Sequence, residues 1–297
     1  MSEVDRIKNE NWLNDNFFIE ETKNDFQVST ERKELWAVLL DLLREFQKVC
    51  KKYDLQYFAI CGTLLGAVRH NGFIPWDDDI DVAMPRDDYE RLKTLTGQFN
   101  HPYSLVWPEN EKENGYSFLK LRNSNTTGLA KAFSNLKINH GLFLDIFPLD
   151  DANVSSYQPD QAKIKELILQ NSQVMKDICQ APKSISKERI DSIPVTFDKI
   201  EYIAKKDNKQ SYNHCALRTI SFYKPEKQIW NKELFKDYLE VDFEELKIRI
   251  PIGWREILET NYGDWEKFPP LSDRGVWHSS VIFNPHISYK DYLTKKV

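Results

Sequence analysis

The stretch Asp79-Ile80-Asp81-Val82-Ala83-Met84 alternates carboxylates with apolar residues and stops at Pro85. A period of two is the signature of a strand with one face turned to a core. The spacing predicts a strand over 79–84, with Ile80 and Val82 on one side and Asp79 and Asp81 on the other. Extended back to Asp77, the same alternation sets Asp77, Asp79 and Asp81 on one face. Three carboxylates gathered this way either take up protons or are neutralised by a cation, and hard oxygen donors suit Mg²⁺ or Mn²⁺. A solvated acidic loop is the plainer alternative. The apolar neighbours Ile74, Trp76, Ile80 and Val82 argue against it. An EF-hand is excluded, because the sixth, ninth and twelfth positions from Asp77 are Val82, Pro85 and Asp88.

Upstream, Tyr57-Phe58-Ala59-Ile60 reads as a short strand that opens into Gly62-Thr63-Leu64-Leu65-Gly66. A glycine turn of this kind brings backbone N–H groups close to a phosphate. Leu64 to His70 is predicted as a short helix. The order strand, Gly-Thr turn, helix, acidic strand therefore sets a phosphate cradle at Gly62 and Thr63 beside a cation site.

Other elements frame this region. Leu35, Val38, Leu39, Leu42, Leu43, Phe46 and Val49 fall at helical spacing within 31–52. Asp87 or Asp88 is expected to cap a helix running to about Thr94, and Phe118–Arg122 and Leu142–Phe147 to be strands. Asp145 is a lone carboxylate inside the second of these, so it needs a metal or an arginine beside it; a buried salt bridge is the alternative to a metal. Asp150 and Asp151 are assigned to a turn. Lys120 and Arg122 share a strand face and could neutralise a phosphate or simply meet solvent. Arg69 and His70 lie between cradle and carboxylates, within reach of a phosphate or a leaving group. His140 and His278 are assigned structural roles.

Seven of the ten glycines lie between Gly62 and Gly141, and none occurs again before Gly253. The glycine-free part carries helical patterns such as Ile164–Ile178 and predicts a mainly helical subdomain at about 155–245. The domain reading is an N-terminal segment, 1–30, followed by one catalytic domain, 31–297, of α+β class. The aromatic, turn-rich ending is expected to fold back onto it.

Composition narrows the partners. The net charge is −5 with both signs interspersed, which disfavours nucleic acid but leaves a small phosphorylated ligand open. The N-terminus lacks an apolar signal segment and no stretch is long enough to span a membrane, so a cytoplasmic protein is expected, with room for peripheral contact at the inner membrane face. Cys50, Cys61, Cys179 and Cys215 are too scattered for a zinc site or a disulfide framework.

Residues 62–92 read GTLLGAVRHNGFIPWDDDIDVAMPRDDYERL. This text closely resembles the LicD family, whose bacterial members include phosphocholine transferases and which is related to the fukutin proteins of animals. The likeness continues in Lys120–Thr126, Gly141–Pro148, Tyr262-Gly263-Asp264-Trp265 and Pro269-Pro270, covering about 30–285 but only weakly 155–245. It implies a nucleotidyltransferase-type mixed sheet flanked by helices, with Gly62 and Thr63 in the G-[ST] turn, Asp79 and Asp81 as the metal-binding pair, and Asp145 as the third acid. Asp77 fits the acidic run. The family's usual reaction moves a phospho-alcohol from a CDP-alcohol to a sugar hydroxyl and releases CMP.

That reaction assigns roles to the remaining candidates. Lys120, Arg122 and Arg69 would offset charge on the departing CMP, and Asp145 or a neighbour would accept the hydroxyl proton. The expected partners are CDP-choline or a related CDP-alcohol and a glycan or teichoic acid precursor. Choline would need aromatic walls, for which Trp76, Trp107, Tyr116, Trp230 and Trp277 are available; CDP-ribitol or CDP-glycerol would need hydroxyl-bonding groups instead. A metal-dependent sugar-nucleotide glycosyltransferase and a non-enzymatic metal-stabilised module are the rival classes.

Overall fold

The computed structural model describes residues 1–181, 184–220, 224–275 and 281–295. Trp277 and His278 lie outside the described residues. The first long helix, α1 (Thr30–Lys52), starts where the Ser29 hydroxyl accepts the Arg32 N–H, and it buries the predicted apolar stripe from Leu35 to Val49. Its buried face packs on a mixed sheet whose strands are β1 (Phe58–Ala59), β2 (Asp81–Pro85), β3 (Tyr103–Val106), β4 (Leu119–Asn123), β5 (Leu142–Ala152), β6 (His214–Ala216) and β7 (Ile229–Asn231).

β5 organises the sheet. It pairs parallel with β2 and antiparallel with β4 and β6; β1 adds to β2, β3 to β4 and β7 to β6. Between the strands lie α2 (Cys61–His70) and α3 (Arg86–Thr94), and β5 leads into the helical pair α4 (Val154–Gln180) and α5 (Lys187–Lys205). The architecture is the expected α+β arrangement of a mixed sheet flanked by helices.

Several boundaries differ from the expectation. β2 begins at Asp81, so Asp77 and Asp79 precede the strand instead of alternating along it. β5 runs on through Pro148 to Ala152, which makes Asp150 a buried strand residue and not a turn residue. Its two oxygens accept a bidentate pair of bonds from Arg86, each 2.7 Å, and that neutralisation lets a carboxylate sit at zero exposure. Asp87 and Asp88 lie in the first turn of α3, whose cap position is Pro85. In α2 the helix already begins at Cys61, so Gly62 and Thr63 form its first turn.

Of residues 155–245, α4 and α5 hold the part up to Lys205; beyond them β6, β7 and the antiparallel ribbon Tyr238–Phe243/Leu246–Pro251 are extended. The N-terminal segment contributes Val4 and Ile7 to the main core, and Arg6 ion-pairs with buried Asp41. At the other end, Ile250 and Trp265 lie in the main core with Trp254 and Tyr262 packed against it, so the aromatic ending does fold back, and further on Val281–Asn284 pairs with Thr127–Ala130. Cys50, Cys61 and Cys215 are buried. No helix among the described residues is long and apolar enough to cross a membrane.

Candidate active site

The site forms where β2, β4 and β5 run side by side. Asp81 on β2 is directly opposite Asp145 on β5, and Lys120 on β4 is opposite the same Asp145 from the antiparallel side. The pairing is continuous into the preceding loop, since the Asp145 N–H donates to the Ile80 carbonyl at 2.9 Å. Lys120 Nζ donates to Asp145 Oδ1. The ammonium is also ringed by aromatic faces, with Phe143 at 3.8 Å, Tyr116 at 4.5 Å and Phe118 at 5.0 Å from its nitrogen. Burial pulls the Lys120 pKa below its ordinary value, partly opposed by Asp145. Both predicted alternatives for these strand residues are thereby decided in part: Lys120 and Arg122 are buried, not on a solvated face, and the partner of Asp145 is a lysine.

The rest of the acidic run follows the Pro75–Trp76 turn, which the Asp77 N–H closes onto the Ile74 carbonyl at 2.8 Å. Asp77, Asp78 and Asp79 each offer an oxygen within 4.8 Å of the others. Two side chains of α1 hold this turn through one acceptor, the Asp77 carbonyl, which receives bonds from Arg32 Nη1 (2.7 Å) and Trp36 Nε1 (3.0 Å). Burial, then repulsion from Asp79, pushes the Asp77 carboxyl well above the usual range; burial, then repulsion from Asp79 and Asp145, does the same to Asp81. Carboxylates so crowded call for a cation, and an all-oxygen donor set fits a hard divalent ion. Of the predicted carboxylates, Asp77 and Asp79 come together here with Asp78, which was not among the predicted ligands, while Asp81 and Asp145 lie on the adjoining strands.

Helix α2 meets this group with its N-terminus. Its first intrahelical bond is Leu64 N–H to the Ile60 carbonyl, so the amides of the turn Cys61–Thr63 precede the ladder and give that end partial positive charge. At Gly62 a Cβ would lie 2.6 Å from Asp77 Oδ2, so the missing side chain makes room for that carboxylate. Gly66 has the same constraint one turn on, where a Cβ would meet the Gly72 carbonyl at 2.4 Å. The Thr63 hydroxyl accepts the Asp81 N–H at 2.8 Å and so fixes the start of β2.

Other predicted residues have different neighbours. Arg122 donates to the Gly141 carbonyl at 2.7 Å and lies over Phe143. Arg69 donates to the Trp265 carbonyl at 2.8 Å and stacks on Phe268, so it ties α2 to the C-terminal segment. His70 is beside Trp76 and Phe268, its pKa lowered to about 4 by burial and by Arg69. Of the proposed aromatic walls, Trp76 is buried against Phe26 and Arg274, Trp230 packs on Phe235, Trp107 lies near Lys93, and Tyr116 helps enclose Lys120. Sequence reading missed Arg32 and Trp36. Both belong to the helical stripe of α1 and carry no local mark of their connection to a turn 45 and 41 residues away.

Residues 54–163 match the model of the LicD/FKTN/FKRP nucleotidyltransferase domain. The chain is 29% identical over 262 residues to the Haemophilus influenzae lipopolysaccharide cholinephosphotransferase LicD, covering 83% of this chain and 95% of that protein. It is also 29% identical over 143 residues to mannosyltransferase regulator 4 of Saccharomyces cerevisiae, but these span 45% of this chain and 12% of that protein. These likenesses support a phosphotransferase. Within that class the chain is similar to the LicD family, through residues 54–163 and through its likeness to the Haemophilus protein.

Proposed function

We propose that this protein transfers phosphocholine from CDP-choline to a sugar hydroxyl of a cell-surface glycan, with release of CMP, in a reaction that needs Mg²⁺ or Mn²⁺. The observation that carries the reading is the juxtaposition of Asp81, Asp145 and Lys120 across three neighbouring strands, next to the turn of Asp77, Asp78 and Asp79. Support for choline over another alcohol comes from the Haemophilus relative, which this chain matches over nearly its whole length.

Asp77, Asp79, Asp81 and Asp145 would hold the cation, which when bound neutralises diphosphate charge and polarises the transferred phosphoryl group. The protein's own residues do the remainder. The first turn of α2, at Gly62 and Thr63, offers unbonded amides to a phosphate. Lys120 supplies a fixed positive charge beside Asp145, with Arg122 behind it over the same Phe143 ring. The acceptor hydroxyl attacks the choline-bearing phosphorus in line, the bond to the CMP oxygen breaks, and the hydroxyl proton passes to Asp145 or a neighbouring carboxylate. The acceptor is placed at the inner face of the membrane, where a lipid-anchored glycan precursor would be presented.

The test is ³¹P NMR of CDP-choline incubated with the protein, Mg²⁺ and lipopolysaccharide or teichoic acid precursor. Equal growth of CMP and a new phosphodiester signal is expected. Product from CDP-ribitol or CDP-glycerol but not CDP-choline would keep the chemistry and discard choline.

A further inference from the structure

We infer that Arg32, on a helix remote in sequence from the acidic run, is a positioning residue of the transfer reaction: it holds the acidic turn in its working geometry by pinning the Asp77 carbonyl. The inference rests on the metal-dependent reading above.

Four observations converge. The Arg32 Nη1–Asp77 carbonyl bond is 2.7 Å and spans 45 residues of sequence, so no local propensity accounts for it. Trp36, one helical turn on, donates to the same oxygen, and its indole is fixed by a face-to-face stack on Phe73 with centroids 4.6 Å apart and planes 8° from parallel. The anchor is therefore rigid. Arg32 is electrostatically coupled to Asp78 first and Asp77 second, while burial lowers its own pKa. Finally, Asp77, Asp78 and Asp79 crowd within 4.8 Å, and carboxylates this close drive the turn apart unless something holds its backbone.

A guanidinium suits this task better than an ammonium. Its planar fork can donate to a carbonyl with one nitrogen while the delocalised charge still faces the carboxylates. The bond goes to a backbone carbonyl, so this contact takes up no carboxylate oxygen. Arg32 therefore offsets charge without competing for the ligand atoms.

This placement makes affinity and turnover separable. Removing a positive charge beside two carboxylates does not weaken, and can tighten, their attraction for a divalent cation. Releasing the turn misplaces them for the reaction, and small misplacements are costly in rate. The experiment compares wild type, Arg32→Met and Arg32→Lys by Mn²⁺ titration followed by electron paramagnetic resonance, CMP release from CDP-choline at saturating Mn²⁺, and circular dichroism melting. Arg32→Met is expected to bind Mn²⁺ within about threefold of wild type or more tightly, yet to release CMP at least about tenfold more slowly, with Arg32→Lys in between. CMP release within twofold of wild type in Arg32→Met would overturn the inference. So would a rate loss matched by equal loss of Mn²⁺ sites or of folded protein, because that is what a purely structural arginine predicts. If wild type itself neither binds Mn²⁺ nor releases CMP, the metal-dependent reading fails first and takes this inference with it, an outcome visible before any variant is compared.

Discussion

Asp145 faces Asp81 across the parallel β2–β5 pairing and Lys120 across the antiparallel β4–β5 pairing, so one β5 residue carries both a like and an opposite charge as its direct neighbours. The arrangement concentrates negative charge for a cation while keeping one buried carboxylate compensated without it.

Repulsion among the carboxylates gives the first prediction. Asp81→Asn should lower turnover by on the order of a thousandfold, as loss of a ligand to an essential cation does. In the absence of metal its thermal midpoint should equal or exceed that of wild type, since Asp79 and Asp145 repel Asp81. Calorimetric melting with and without Mg²⁺ checks this; a metal-free variant that melts well below wild type would contradict it.

The second concerns the Lys120–Asp145 pair. Lys120→Met strands a buried carboxylate and should cost about 3–5 kcal/mol. Replacing both partners, with Lys120→Met and Asp145→Leu, should recover most of that stability and none of the activity. Urea unfolding of the two single variants and the double variant measures the coupling directly.

Gly62→Ala should leave the fold intact and impair the site. The added methyl group reaches the mobile end of Asp77, so the carboxylate swings away while the backbone stays. A weaker Mn²⁺ affinity with a nearly unchanged melting temperature is expected, read by titration and circular dichroism.

Much of this was legible in the sequence. The stripe of α1 and the alternation through Ile80 and Val82 are local patterns, and local patterns survive folding. What was not legible depends on distant partners. Asp77 and Asp79 were read as strand residues because spacing alone cannot show that Arg32 and Trp36 hold them in a turn. Asp150 was read as a turn residue because its bidentate partner, Arg86, lies 64 positions earlier. The absence of glycine between Gly141 and Gly253 indicated few tight turns but could not separate helices α4 and α5 from strands β6 and β7.

Acid should unfold the protein partly through His140. Burial lowers its pKa from 6.5 to about 4, and its Nε2 lies 3.0 Å from the Leu136 carbonyl oxygen. A histidine depressed in the folded state binds its proton more readily when unfolded. Its contribution is therefore complete above about pH 6.5 and is lost as the pH falls toward 4, up to about 3 kcal/mol. His140→Gln should flatten the fall in stability across that window in urea titrations at pH 7, 5.5 and 4.5.

The most direct test of the central claim is calorimetric titration of the protein with CDP-choline, CDP-ribitol and CDP-glycerol, with and without Mg²⁺, because donor binding can be measured before the acceptor is identified. The account predicts saturable binding of CDP-choline that depends on Mg²⁺, is tighter than that of the other two, and is lost in Asp79→Ala. No binding of any CDP-alcohol under either condition, or binding of CDP-choline unaffected by Mg²⁺ and by Asp79→Ala, would contradict it.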